Sequence, residues 1–164
     1  MNEVPTKTIT AINEPIKPYG PGSSEKESIK QEIERLKSTQ IEIPIIIGGE
    51  EIKTGNTTTC VMPHNHNHVL ATYHQASEKE IQMAIESCLK AQKDWANTRL
   101  DERCEIFQKM AELLQNEYRD RINASTMLGQ SKNIFQAEID SACELIDFFN
   151  FNCQYAQEIY ANQP

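Results

Sequence analysis

The chain has 164 residues, a formal net charge of −8 and a pI of about 5.0, so it lacks the basic surface that nucleic-acid binding requires. It contains no run of apolar residues long enough to span a membrane, and its first residues resemble neither a signal peptide nor a transit peptide. The five cysteines form no C-x-x-C pair, which favours reduced thiols and a cytoplasmic location.

Residues 1–22 are rich in proline and predict an extended N-terminal arm. The prolines that interrupt any periodic pattern are Pro5, Pro15, Pro18 and Pro21. Ser23 or Ser24 is suited to cap a helix that continues to about Leu36. The apolar face of this helix carries Ile29, Ile33 and Leu36.

The segment IEIPIIIGGEEI predicts a β-hairpin. The β-branched run 43–47 is typical of a strand, and Gly48 and Gly49 supply the positive φ of a two-residue turn. Pro44 cannot donate to a β-ladder, so this strand is expected at a sheet edge or with a delayed start. Residues 69–74 predict a further short strand.

From Ser77 onward the apolar spacing becomes helical. Ser77 and Glu80 match the capping box S-x-x-E, and a second helix is expected to begin near Asp101. A shorter helix over 122–128 is expected to stop at Gly129. A long helix is then predicted from about residue 131 to residue 160, apolar on two faces and therefore in need of cover on two sides.

The elements predict a fold that is mainly α with a small β-hairpin element, an α+β fragment. We divide it into the arm at 1–22, a helix and hairpin region at 23–76 and a helical region at 77–164. These parts offer too little surface to cover both faces of the long helix. The pattern therefore suggests that part of the structure lies outside this chain.

The stretch PHNHNH places His64, His66 and His68 at every second position, the spacing of one face of a β-strand. Histidine is a common metal ligand, so a metal site is one interpretation. The competing interpretation is a polar turn, because the neighbouring proline and asparagines favour turns.

Two other groups of reactive side chains have structural interpretations. Asp140, Glu144 and Asp147 share one helix face at i, i+4 and i+7, either as a solvated surface or as carboxylates that shift each other's pKa. Cys88 and Cys143 lie on apolar stripes, the setting of inert thiols. No G-x-G-x-x-G or P-loop motif is present to bind a phosphate group.

The sequence from residue 100 resembles the N-terminal helical region of the aldehyde dehydrogenase superfamily. The shared features are the helix ERCEIFQKMAELL, a short helix ending MLGQSK, and a long helix with QAEID, ELIDFF and FN. The long helix most resembles the Δ1-pyrroline-5-carboxylate dehydrogenase family within this superfamily. NEP at 13–15, GGEEI at 48–52 and PHNHNH at 63–68 also resemble that family, in which the last motif forms a turn and no metal takes part.

The resemblance implies oxidation of L-glutamate γ-semialdehyde to glutamate with NAD in proline catabolism, by a cysteine thiolate, with no bound metal. The family's G-Q-x-C and G-[ST]-x-x-x-G motifs are absent here, so catalytic, cofactor-binding and metal residues are all expected to be missing. The resemblance thus implies an inactive N-terminal fragment, whose partner is the remainder of the same enzyme, with its dinucleotide-binding and catalytic domains. The full enzyme is expected to be a homo-oligomer in the cytoplasm, or in the mitochondrial matrix of a eukaryote.

One functional position carries over from the resemblance. Glu144 matches a glutamate that faces the aldehyde channel of the family, and Phe148 and Phe151 are expected to line or support that channel. Two alternatives remain open. The chain could be a standalone protein-interaction module that uses its uncovered helix face, or a metal-binding module that uses its histidines.

Overall fold

The helices and strands follow one another in an order that the computed structural model describes for residues 8–162. They are α1 (Ser24–Ser38), β1 (Ile41–Ile43), β2 (Ile45–Ile47), β3 (Glu50–Ile52), β4 (Thr57–Met62), β5 (Asn65–His74), α2 (Glu78–Asn97), α3 (Leu100–Asn116), α4 (Arg119–Gln130), α5 (Ile134–Ala137), a π-helical segment (Glu138–Cys143) and α6 (Glu144–Ala161). The predicted mainly α fold with a small β element is confirmed. Within 8–162, no helix combines the length and apolar character needed to cross a membrane.

The arm is extended over residues 8–20, as predicted; residues 1–7 of the predicted arm lie outside the described part. Side chains of the long helix bind its backbone. The N–H groups of Ile9 and Ala11 donate to the side-chain oxygens of Gln157 and Gln154, at 2.9 and 2.8 Å. The arm therefore docks as an added layer on the long helix rather than as a strand.

Helix α1 confirms the prediction made for residues 23–36. Ser23 is its N-cap, and the Ser23 hydroxyl accepts from the backbone N–H of Lys26 at 3.3 Å. The helix buries Ile29 against Ala124 of α4 and Tyr19 of the arm. This small core joins the arm, α1 and α4.

Pro44 divides the predicted strand 43–47, so the expectation of one continuous strand is wrong. Before Pro44, β1 pairs in parallel with β5, in a three-stranded sheet of order β1-β5-β4. After it, β2 pairs antiparallel with β3. Pro44 lacks the N–H that would continue the ladder, and the chain changes partner there. The predicted turn is confirmed, with φ of 61° at Gly48 and 88° at Gly49.

Helix α2 starts as predicted. Ser77 and Glu80 form both hydrogen bonds of a capping box, including Ser77 N–H to Glu80 Oε2 at 2.8 Å. The apolar stripe of Ile81, Ile85 and Leu89 is nevertheless uncovered, and Leu89 is 62% exposed. Within residues 8–162, α2 is an amphipathic helix whose apolar face has no cover.

Helix α4 extends past its predicted limits at both ends. It begins at Arg119 and continues through Gly129 to Gln130. The helix ends because Ser131 adopts a left-handed conformation with φ of 58°. Gly129 is therefore a helical residue, and the prediction that it stops the helix is wrong.

The predicted long helix is present from Ile134 to Ala161, but it is not uniformly α-helical. Asn133 caps its start by accepting from the N–H of Gln136 at 3.0 Å, and the π-helical segment follows α5 directly. One face is covered, since α3 packs on α6 through buried Ala111, Leu114 and Ile146. The second apolar face is open in the described part of the chain, where the exposed fraction is 58% for Phe148 and 47% for Tyr155.

Candidate functional site

The open face of α6 brings together the three residues that the sequence assigned to a substrate channel. Glu144, Phe148 and Phe151 follow at spacings of four and three, so they form one stripe that continues to Tyr155. Glu144 and Phe148 are exposed and Phe151 is half-buried. The rings of Phe151 and Tyr155 lie 6.0 Å apart at an interplanar angle of 42°. The stripe is thus one carboxylate followed by three aromatic rings.

An apolar groove of about 440 Å³ runs beside this stripe, between α3 and α6. Phe148 is at its edge, whereas Glu144 and Phe151 do not line it. Phe107 and Phe149 stack across it, with ring centroids 5.8 Å apart. The full lining is Trp95, Leu100, Arg103, Cys104, Phe107, Phe148, Phe149, Asn152, Cys153 and Ala156. The groove can accept an apolar group, but it has few polar groups to orient a ligand.

Glu144 occupies the junction between the π-helical segment and α6. Its backbone N–H donates to the carbonyl of Ile139, the i→i−5 hydrogen bond that closes the last π turn. Among the described residues, its carboxylate has no hydrogen-bond or ion-pair partner. Glu144 therefore presents a carboxylate on the open face that is available to a ligand.

The predicted acidic stripe does not act as one unit. Asp140 forms an ion pair with Lys132 at 2.7 Å, whereas Asp147 accepts from the N–H of Glu14 at 2.7 Å and from the amide of Asn13 at 2.8 Å. Of the three carboxylates, only that of Glu144 remains uncommitted within residues 8–162. The structure thus favours separate roles over a coupled acid–base pair.

A buried polar cluster on the other side of the long helix was missed by the sequence analysis. The carboxylate of Glu138 has no exposed surface, and Arg119 is 2% exposed. Arg119 donates to Glu138 Oε1 at 2.5 Å, to Glu14 Oε1 at 2.5 Å and to the carbonyl of Pro15 at 2.9 Å. Two carboxylates from different segments therefore share one guanidinium.

The carboxylate of Glu138 receives three further hydrogen bonds. The donors are the N–H of Lys17 at 2.8 Å, the hydroxyl of Tyr19 at 2.9 Å and the amide of Asn123 at 2.8 Å. Charged residues are rarely fully buried, so the sequence alone favoured a surface position for Glu138. An available signal was Arg119 near the start of a helix and Glu138 inside the conspicuous QAEID motif.

The pKa values of this cluster follow from its burial and its hydrogen bonds. Burial raises the pKa of Glu138, but the hydrogen bonds from Arg119, Lys17, Tyr19 and Asn123 outweigh that effect and hold the pKa below its usual value. Burial lowers the pKa of Arg119, and its bonds to Glu138 and Glu14 raise it by more. Burial, together with the adjacent Glu138 carboxylate, raises the pKa of Tyr19. Arg119 and Glu138 are thus both charged at neutral pH.

The three histidines are divided between a turn and a strand. His64 lies in the turn between β4 and β5, where its Nδ1 is 2.8 Å from the hydroxyl of Ser131. His66 and His68 are part of β5, so the predicted turn is right for His64 and wrong for the other two. The parallel partner β1 contributes to this difference because it stabilises a longer β5 than the sequence indicated. Across residues 8–162, no three or more His, Cys, Asp or Glu residues are grouped to hold a metal ion.

The cysteines are free thiols in different environments. Cys104, Cys143 and Cys153 are buried, Cys60 is half-buried and Cys88 is exposed. Burial raises the pKa of Cys143 to about 11 and that of Cys153 to about 12. The prediction of a buried setting is therefore right for Cys143, but it is wrong for Cys88, because the apolar face of α2 is uncovered.

The fold and the sequence identify the class of protein to which this chain belongs. The model of the "Aldehyde dehydrogenase family" matches residues 51–163, more than half of the chain. The chain belongs to the aldehyde dehydrogenase family, as the motifs of the long helix indicated.

Several similar proteins belong to one branch of this family. The mitochondrial delta-1-pyrroline-5-carboxylate dehydrogenase of Dictyostelium discoideum is 42% identical over 155 residues, which are 94% of this chain and 28% of that protein. The human mitochondrial protein of the same name is 39% identical over 97% of this chain and 28% of its own length. The chain thus spans about 28% of the length of these relatives.

The solved structures agree with the sequence relatives. The Delta-pyrroline-5-carboxylate dehydrogenase from Mycobacterium tuberculosis, in a crystal structure bound with NAD and cobalamin, has a TM-score of 0.94 and 39% identity. The match covers 99% of this chain and 31% of that chain. The arrangement of helices and strands is therefore that of one part of this enzyme's fold.

Proposed function

We propose that this chain is the N-terminal part of an NAD-dependent dehydrogenase that oxidises L-glutamate γ-semialdehyde, the open form of Δ1-pyrroline-5-carboxylate, to glutamate. The observation that supports the proposal is the match to proteins of that name, at about 40% identity over more than nine-tenths of this chain. The remainder of the same enzyme would supply the cysteine nucleophile. It would also cover the apolar faces of α2 and α6.

The residues of this chain do not fit a binding site for NAD. A dinucleotide phosphate site needs a glycine-rich turn that lets the backbone approach the phosphates closely. At five of the six glycines an added Cβ would meet nothing within 4 Å, and at Gly48 it would meet only the side chain of Ser87. NAD binding, which the proposed activity requires, is therefore assigned to the part of the enzyme beyond this chain.

The proposed contribution of this chain is one wall of the substrate channel. Glu144 would accept hydrogen bonds from the ammonium group of the semialdehyde, and a buried charge-assisted bond of this kind is strong. Phe148 and Phe151 would exclude water beside the aliphatic part of the substrate. The support is their common exposed face on α6 and the absence, within residues 8–162, of another partner for the Glu144 carboxylate.

The first experiment is to determine the size of the native polypeptide in its source cells with an antibody to this chain. The native protein is then purified and assayed for NADH production from glutamate semialdehyde. We expect a polypeptide several times longer than this chain, with activity, and no activity from the 164-residue chain alone. A native product of 164 residues, or a long product without this activity, would contradict the proposal. The first of these outcomes would favour the interaction module.

The role of Glu144 is tested in the native enzyme by Glu144→Gln. Loss of a charged hydrogen bond is expected to lower kcat/KM for the semialdehyde by about ten- to a hundredfold. The matched control is Glu112→Gln, because Glu112 is an exposed glutamate on α3 that pairs only with Lys109 among the described residues. Equal kcat/KM values in the two variants would remove Glu144 from the channel.

A further inference from the structure

The π-helical segment determines the direction in which Glu144 points. In an α-helix the N–H of Glu144 would donate to the carbonyl of Asp140, but here it donates to that of Ile139. The segment therefore contains one more residue per turn than an α-helix. Each residue of an α-helix turns by about 100°, so loss of the π turn would rotate Glu144 by about that angle relative to α5. Glu144 would then leave the stripe's present orientation.

Contacts outside the helix hold both ends of this segment. Its first residue, Glu138, is fixed by the buried hydrogen bonds from Arg119 and its neighbours. Its last residue, Cys143, has its sulfur 3.4 Å from Arg119 Nη2 and 3.9 Å from the carbonyl of Pro15. One guanidinium thus contacts the two ends of the π turn.

The middle of the segment is attached independently. The hydroxyl of Ser141 donates to the hydroxyl of Thr126 on α4 at 2.6 Å. The carboxylate of Asp140 pairs with Lys132 at 2.7 Å. A π turn exposes the backbone to poorer hydrogen-bond geometry than an α turn, so it persists where the surroundings fix it. Here the surroundings are α4 and the arm.

We infer that Arg119 and Glu138 are positioning residues, which hold the π turn and thereby direct the Glu144 carboxylate towards the ammonium group of the substrate. Neither side chain reaches the open face of α6, since both are buried on the opposite side. They act only through the backbone between Glu138 and Glu144. This inference rests on the proposed function, because Glu144 has a substrate to face only in that enzyme.

The test is a double-mutant cycle in the native full-length enzyme, with Glu138→Gln, Glu144→Gln and the double variant. The measured quantity is the ratio of kcat/KM for glutamate semialdehyde to that for glutarate semialdehyde, which lacks the amino group. Glu144→Gln is expected to lower this ratio about tenfold and Glu138→Gln at least about threefold. The double variant is expected to be no lower than Glu144→Gln, because both changes remove the same contact.

The matched control is Glu32→Gln, which removes an exposed carboxylate that is bound by two nitrogens of Arg35. It should leave the ratio unchanged. Additive effects in the double variant, or equal losses of kcat/KM for the two aldehydes in Glu138→Gln, would overturn the inference. If Glu138→Gln does not fold, Thr126→Val serves in its place. It removes the acceptor for Ser141 without disturbing a buried charge, and it should give the same non-additive result.

An amide hydrogen-exchange measurement separates this inference from the proposed function. If the unaltered enzyme does not oxidise glutamate semialdehyde, the proposed function is wrong and exchange at the Glu144 amide decides the positioning. Faster exchange at Glu144 in Glu138→Gln than in Glu32→Gln supports control of the π turn by Glu138. Equal exchange in the two variants overturns it.

Discussion

Glu138 and Arg119 form a buried ion pair in which the guanidinium Nη2 lies 2.5 Å from the carboxylate Oε1. The pair connects the start of α4 to the start of the π-helical segment, and the same guanidinium binds Glu14 of the arm. Because neither charge is accessible to water, each depends on the other for its solvation. The pair is therefore both a structural joint and a point of vulnerability.

Arg119→Met is expected to lower the free energy of unfolding of this chain by about 3–5 kcal/mol. The variant leaves the carboxylates of Glu14 and Glu138 without their shared cation. The measurement is urea unfolding followed by circular dichroism. The control is Lys109→Met, which breaks an exposed pair with Glu112 and should change stability by no more than about 0.5 kcal/mol. Similar losses in the two variants would show that the buried pair has no special weight.

The ionisation of Glu138 makes the fold sensitive to acid. Its pKa is lower in the folded chain than in the unfolded one, so its charge stabilises the fold fully above the unfolded value of about 4.3. This stabilisation is lost as the pH falls from there through the folded pKa. The free energy of unfolding, measured between neutral pH and pH 3, should therefore fall less steeply in Glu138→Gln than in the unaltered chain. Glu112→Gln should keep the original slope, and an unchanged slope in Glu138→Gln would contradict the prediction.

Brief treatment of the folded chain with iodoacetamide should label Cys88 first, because Cys88 is exposed. Cys143 and Cys153 should remain unmodified, since they are buried and their raised pKa values leave very little thiolate. With a pKa of about 12, only about one Cys153 in ten thousand is ionised at pH 8. Peptide mass spectrometry measures the labelling, and unfolding in urea should make all five cysteines reactive. Labelling of Cys153 as fast as Cys88 in the folded chain would contradict the structure.

The open face of α2 predicts different effects in the chain and in the native enzyme. Leu89→Glu should change the stability of this chain by no more than about 0.5 kcal/mol, because Leu89 is already exposed. In the native enzyme, the same change should lower the thermal midpoint, since a charge would be placed beneath the remainder of the protein. The control is Lys90→Glu on the polar side of α2, which should have little effect in either setting. Equal midpoints for the two variants of the native enzyme would mean that nothing covers this face.

Titration with zinc tests the interpretation of the histidines as a metal site. We expect weak binding without defined stoichiometry, because His64 lies in a turn against Ser131 while His66 and His68 lie on β5. The measurement is isothermal titration calorimetry of the unaltered chain and of a variant with all three histidines replaced by alanine. Stoichiometric binding that disappears in the alanine variant would instead support a metal-binding module.

The elements that the sequence predicted correctly are those determined by neighbours along the chain. The capping box of Ser77 with Glu80 and the turn at Gly48 and Gly49 depend on residues no more than three positions apart. The π turn and the burial of Glu138 depend instead on Arg119 and the arm, which are distant in sequence. The periodicity of the long helix continues across both kinds of turn, so it did not reveal the extra residue.

The channel residues show the same division. The exposed position of Glu144 and Phe148 on one face follows from helical spacing, and the structure has that arrangement. Their proposed role came from a family resemblance, because spacing alone cannot identify a ligand. The separate partners of Asp140 and Asp147 could not be predicted, since Asp147 binds an arm more than 130 residues away in sequence.

The docking of the arm through its backbone has a consequence for how this protein can vary during evolution. Four N–H groups, at Ile9, Ala11, Glu14 and Lys17, bind side-chain acceptors on the long helix. Pro15 and Pro18 occupy positions between or beyond these donors, where no N–H is used. A deep mutational scan should therefore find Ala11 tolerant of most residues other than proline, whereas Gln154, which reads that backbone, should tolerate few. The helix would be the constrained partner, and the strap it holds would be free to drift.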